Sequence, residues 1–358
     1  MLLSASFCKA PRKALYDMAS LDSGGMLSLM SSYSAQAPEF QVLESEQRDG
    51  YRVSLIGYRG PFGDEIHSYL LVPDGLSASR KAPSILLLHD HGARFDIGKE
   101  KVLRPLPSAP ANVRLSSSQW VEDNCDGAYL ADSLARGGYV VLASDALYWG
   151  ERSSSAAAKW SRVRFLGEEG NLRDLKDEVY EGQRAVYDSL LTNEGRYWAV
   201  QTYMEDCQGV ELLSSLPYVD GDRTGAFGWS MGAHRCWILA SFCGKVKTGA
   251  ALCWMTLKRT CASPPTASDH SMMIPPLRDR YDFPDIARSL SPKPFMFLSG
   301  DADKLFPRES TAEAFSLMQE IYRQNGAEGK LTTEFFEGGH HCGPREQERI
   351  MQYFRENL

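Results

Sequence analysis

The chain has 358 residues, with 46 acidic and 39 basic side chains and a net charge of −7. Its 43% apolar and 24% charged composition is that of an ordinary globular protein and excludes collagen, coiled coil and long disorder. The acidic balance and the lack of a long Lys/Arg run argue against nucleic acid as a partner. No apolar stretch reaches the roughly 18 residues that a membrane span needs.

Met1–Lys9 has neither a charged lead nor a long apolar core, so no export signal is read there. A chain that starts here is expected in the cytoplasm; one whose start has been trimmed would be periplasmic or secreted. The eight cysteines form no C-x-x-C pair, so they read as small buried hydrophobes with free thiols.

Residues 1–40 read as an N-terminal extension with one or two short helices. Gln41–Glu46, Tyr51–Tyr58 and Ile66–Val72 follow as antiparallel strands, separated by turns at Asp49-Gly50 and Pro61–Asp64. Short continuous apolar runs come next, at Ser84–Leu88, Tyr139–Ser144, Gly225–Gly228, Gly249–Cys253 and Pro294–Leu298, with Leu331–Phe336 last. Such runs suit strands covered on both faces of a parallel sheet. Helical periodicity lies between them at Gly127–Arg136, Met204–Leu216, Met231–Phe242, Thr311–Arg323 and Arg345–Phe354. The alternation predicts an α/β fold with a mostly parallel central sheet and helices on both faces. Two stretches, about 94–124 and 148–198, are too long for plain connections. Both follow strand C-termini, where open α/β sheets bind ligands, so they read as insertions building a lid.

The sharpest motif is Gly228-Trp229-Ser230-Met231-Gly232, set between a strand and a helix. That is the context of a G-x-S-x-G nucleophile elbow. A serine nucleophile needs a base, and the base an orienting acid. On this architecture the order is Ser, then acid, then His. Asp301 and Asp303 follow one strand, and His340 and His341 follow the last. The oxyanion needs N–H donors: Met231, just after the serine, and the loop His89-Asp90-His91-Gly92-Ala93, where Gly92 and Ala93 are the candidates. His89 and His91 at i, i+2 lack a matching ligand set, so a metal is not expected. Arg94, Arg152, Trp198 and Trp229 lie near strand ends or in the insertions, and guanidinium groups and aromatic faces suit sugars and carboxylates. Asp145 is expected as a buried partner of Arg152.

His89–Ala93 with Gly98–Lys101, the segment Asp145–Arg152, the elbow, Gly300–Asp303 and Gly338–His340 together resemble the dienelactone hydrolase-like branch of the α/β-hydrolases, and within it bacterial acetyl xylan esterase-like proteins. The resemblance spans roughly residues 50–356 and implies one catalytic domain, 41–358. It also implies ester hydrolysis without a cofactor. It aligns the acid with Asp303, four residues before Pro307, and the base with His340; Asp301 and His341 are the fallbacks. Small dienelactone hydrolases carry cysteine at the elbow where this chain has Ser230, which turns the expectation from lactone opening to a serine esterase acting on short acyl or methyl esters of carbohydrates. The alternatives are a small-peptide serine peptidase and a non-catalytic binding protein on the same scaffold.

Overall fold

A computed structural model describes residues 17–261 and 270–358, so the Met1–Lys9 stretch lies outside the described residues. The apolar runs form a nine-stranded sheet: β1 Phe40–Arg48, β2 Tyr51–Arg59, β3 Glu65–Pro73, β4 Ala82–Leu88, β5 Val140–Ser144, β6 Val219–Trp229, β7 Thr248–Leu252, β8 Phe295–Gly300 and β9 Leu331–Phe336. Their spatial order is β1-β2-β3-β5-β4-β6-β7-β8-β9. β1, β2, β3 and β5 pair antiparallel in succession, and every neighbour from β5 to β9 is parallel.

The chain lays β5 on one side of β4 and β6 on the other. The β4–β6 crevice is therefore the point where the strand order reverses, the place where open sheets take ligands. Alternation along the strands gives the sheet its two covered faces. Ile85 and Leu87 of β4 pack in one layer, Leu86 and Leu88 in the other. One layer buries helices Ser23–Ser32 (α1), Trp198–Ser215 (α6), Met231–Phe242 (α7) and Arg308–Gln324 (α8). The other buries Ala111–Cys125 (α2), Leu130–Arg136 (α3) and Pro344–Asn357 (α9). The expected α/β architecture is what is found.

β6 starts six residues earlier than its apolar run, because the polar stretch Asp220–Arg223 continues the strand. The described part of the N-terminal extension packs on the body: Met18, Met26 and Met30 are buried, and Tyr203 donates its hydroxyl to the Met30 carbonyl (2.8 Å).

Both insertions are helical. The first contains α2, and the second contains Ser155–Leu166 (α4) and Leu172–Glu194 (α5). Ser154 and Asn171 cap the two helices of the second, each accepting from main-chain N–H groups of the first turn. They dock onto the loop after β4. Asn112 bonds Ser161 (3.2 Å), Phe95 meets Tyr180 edge-on (5.4 Å), and the Arg94 guanidinium lies over Trp160 (5.0 Å). No helix among the described residues is long and apolar enough to cross a membrane.

Candidate active site

β6 ends in a turn so tight that no side chain fits on its inner side. A Cβ on Gly228 would lie 1.8 Å from the Gly232 carbonyl oxygen, and one on Gly232 would lie 2.0 Å from that of Leu88. The close approach holds the helix against β4 and puts Ser230 at φ 53°, ψ −120°, a strained conformation for a non-glycine residue. The neighbouring strand enforces it, since the Ser230 N–H donates to the Leu252 carbonyl (2.8 Å). Ser230 is the N-cap of α7, 8% exposed, with Met231 opening the helix. Anionic charge is favoured at that end.

The loops after β8 and β9 meet beside it. His340 Nδ1 donates to Asp303 Oδ2 (2.8 Å). Asp303 is buried, and its other oxygen accepts from the N–H groups of Leu305 (2.8 Å) and Phe306 (3.3 Å). The carboxylate is thereby fixed, and it holds the imidazole with Nε2 outermost. His340 stacks with Trp229, the residue preceding Ser230 (5.8 Å), and with Phe306 (5.9 Å), leaving its side chain 22% exposed. Asp301 instead accepts from the Gly338 N–H (3.0 Å), closing the turn. His341 faces Asp126 (3.5 Å) and Glu346 (3.6 Å). A buried thiol, Cys253, lies behind Asp303; burial, with the carboxylate beside it, pushes this thiol well up.

The loop after β4 runs beside the elbow. His89 is buried with both ring nitrogens engaged: Nδ1 donates to the Asp90 carbonyl (2.8 Å) and Nε2 accepts from the Ala146 N–H (3.0 Å). Burial, then Lys101, holds its pKa well down, so it is neutral. The Ala93 N–H points at His91 Nδ1 (3.0 Å), which takes it out of the expected oxyanion pair and leaves Gly92.

The expected sugar contacts are mostly interior. Trp198 and Trp229 are fully buried, Trp198 against Tyr148 and Trp149 and Trp229 against Trp120 and His340. Arg152 grips Glu205 with both terminal nitrogens (2.7 and 2.9 Å) and also pairs with Asp64. Arg94 is bound to Asp96 (3.2 Å) and Ser116. Asp145 is not the ion-pair partner of Arg152, which reaches only its main-chain carbonyl (3.1 Å). Its carboxylate pairs with Lys99, which is fully buried (2.7 Å). Lys101 is buried as well, so neither lysine of the first insertion faces solvent.

An apolar cavity of about 220 Å³ flanks α7, walled by His234, Trp237, Trp254, Phe283 and Leu27. The rings of Trp254 and Phe306 stand in series between it and His340 (5.4 and 5.9 Å between centroids).

No protein-family model matches the chain. YtaP of Bacillus subtilis (strain 168), a hydrolase by name, is 21% identical over 247 residues, 68% of either chain. Among solved structures, a Bacteroides fragilis protein assigned as an acetyl xylan esterase superposes with a TM-score of 0.63 at 16% identity, over 89% of this chain and 77% of its own. A glucuronoyl esterase from Solibacter usitatus superposes with a TM-score of 0.60 at 11% identity, over 94% of this chain and 92% of its own. The sheet order, the elbow at its switch point and these superpositions agree: the chain has the α/β-hydrolase fold.

Proposed function

We propose that the chain is a serine carboxylic-ester hydrolase of the acetyl xylan esterase-like kind, cleaving short acyl or methyl esters on carbohydrates. The observation that carries this reading is the His340–Asp303 hydrogen bond, beside a serine held at φ 53° by a glycine-flanked elbow.

Ser230 attacks the ester carbonyl. His340 takes the serine proton at Nε2 and returns it to the departing alcohol, while Asp303 holds the ring and stabilises its cation. The Met231 N–H at the helix start and an N–H of the His91–Gly92 segment stabilise the oxyanion. Water, deprotonated by His340, then releases the acid and restores the serine. All atoms come from ester and water, so the reaction needs no cofactor.

The carbohydrate part draws on the esterase neighbours. A fluorophosphonate should label the protein, and Ser230→Ala should abolish labelling. Undiminished labelling of folded Ser230→Ala would overturn the mechanism. A release assay on acetylated and methyl-esterified glycans then separates the two ester types.

A further inference from the structure

A lysine ammonium is costly to bury, and Lys101 is 1% exposed. Burial pulls its pKa down to about 8, although Asp90 and Asp96 lie close enough to resist. Unlike Lys99, whose partners are three carboxylates, Lys101 spends its hydrogens mainly on main-chain oxygens. Nζ donates to the carbonyls of His91 (2.8 Å) and Asp90 (3.0 Å), with the Asp90 carboxylate at 3.8 Å and the Trp120 ring at 5.2 Å.

Those two carbonyls belong to the loop that follows β4, immediately before the left-handed pair Gly92 (φ 55°) and Ala93 (φ 50°). In a trans peptide the C=O and the next N–H point in opposite directions. Drawing the Asp90 and His91 carbonyls toward one ammonium therefore turns the N–H groups of His91 and Gly92 the other way. The loop begins against the nucleophile helix, since a Cβ on Gly232 would lie 2.8 Å from the His89 carbonyl oxygen.

We infer that Lys101 is the positioning residue of the oxyanion hole: its ammonium clamps the Asp90 and His91 carbonyls so that the His91 and Gly92 N–H groups face the reacting ester. The inference rests on the esterase reading. Two neutral groups share the load. His89 Nδ1 donates to the Asp90 carbonyl (2.8 Å) and Trp149 Nε1 to that of His91 (3.1 Å). Lys101 holds both peptide planes.

The test uses the full chain, with active sites titrated by the fluorophosphonate so that rates are per competent site. Lys101→Met keeps the stem and removes the donors. Losing one oxyanion donor costs about 10²–10³ in turnover, so a fall of about 100-fold in kcat per site is expected. KM for p-nitrophenyl acetate should stay within about twofold, and the labelling rate should fall in parallel with kcat. If Lys101→Met yields no folded protein, Trp149→Phe removes the second donor to His91 and should lower kcat per site about tenfold, again at constant KM. An active wild type whose variants lose only titratable sites or thermal stability, at unchanged kcat per site, overturns the inference and leaves the esterase reading intact. A wild type that neither labels nor cleaves any ester overturns both.

Discussion

The carboxylate of Asp145 takes both donors that Lys99 turns toward it: Oδ1 accepts the main-chain N–H and Oδ2 the ammonium, each at 2.7 Å. Glu100 (3.1 Å) and Glu151 (3.2 Å) complete the ring around Nζ. The four residues weld the start of the first insertion to the loop after β5, so the segment from which Lys101 projects is fixed by charge, with Lys99, Glu100 and Asp145 buried and Glu151 at the surface.

Removing one partner of a buried pair leaves an uncompensated charge, at a cost of about 3–5 kcal/mol. Lys99→Met is expected to lose that much in urea unfolding. Adding Asp145→Asn to Lys99→Met should restore part of it. A Lys99→Met variant as stable as wild type would show that the cluster is hydrated and not interior.

The two aspartates after β8 should separate cleanly. Asp303→Asn puts the imidazole in the wrong tautomer and should lower kcat by about 10⁴. Asp301→Asn removes one turn hydrogen bond and should cost less than about tenfold. The same contrast is expected between His340→Ala and His341→Ala. Steady-state kinetics on an acetyl ester checks all four, and a reversed order within either pair would displace the triad.

His234 gives the protein an acid-sensitive core. Burial, and secondarily Arg278, holds its pKa near about 3, with Trp237 and Trp254 edge-on at 4.5 and 4.8 Å. The unfolded chain takes up this proton near the ordinary pH 6.5 and the folded chain does not. Stability should therefore fall as pH drops from about 6.5 toward 3, by about 1.4 kcal/mol per pH unit for this group. His89, also buried and neutral, adds a loss of the same sign. Comparing urea midpoints at pH 7 and pH 5, His234→Gln should show a shallower decline than wild type.

Acetyl esters should be cleaved much faster than octanoyl esters. The apolar cavity along α7 could take a long chain, and the buried rings of Trp254 and Phe306 stand between it and His340. Equal rates across a chain-length series would show that these rings give way and would remove the carbohydrate part of the proposal.

The strands and loops that carry the candidate site were legible because each announces itself locally. An apolar run followed by Gly-x-Ser-x-Gly, Gly-x-x-Asp or Gly-Gly-His marks a strand and the loop beyond it. The β6 start was not legible, because the polar stretch Asp220–Arg223 lacks the apolar run by which the other buried strands show themselves. Nor was the role of the insertion charges. Lys99 and Lys101 look like solvated lysines until Asp145, 46 residues on, closes over the first and two carbonyls over the second. Trp198 and Trp229 carry the right chemistry for sugars, but a single sequence does not tell an aromatic that lines a cleft from one that fills a core.

The three candidate catalytic side chains hang from very different anchorages. Ser230 follows β6, which is paired on both sides and buried throughout its last six residues. His340 follows β9, which among the described residues pairs with β8 alone and is half-buried along its whole length. Edge segments open at lower free energy than central ones. As the molecule is warmed, His340 should come loose while Ser230 is still seated. Hydrolysis would then fade in advance of unfolding, and cooling would restore it without any refolding of the core.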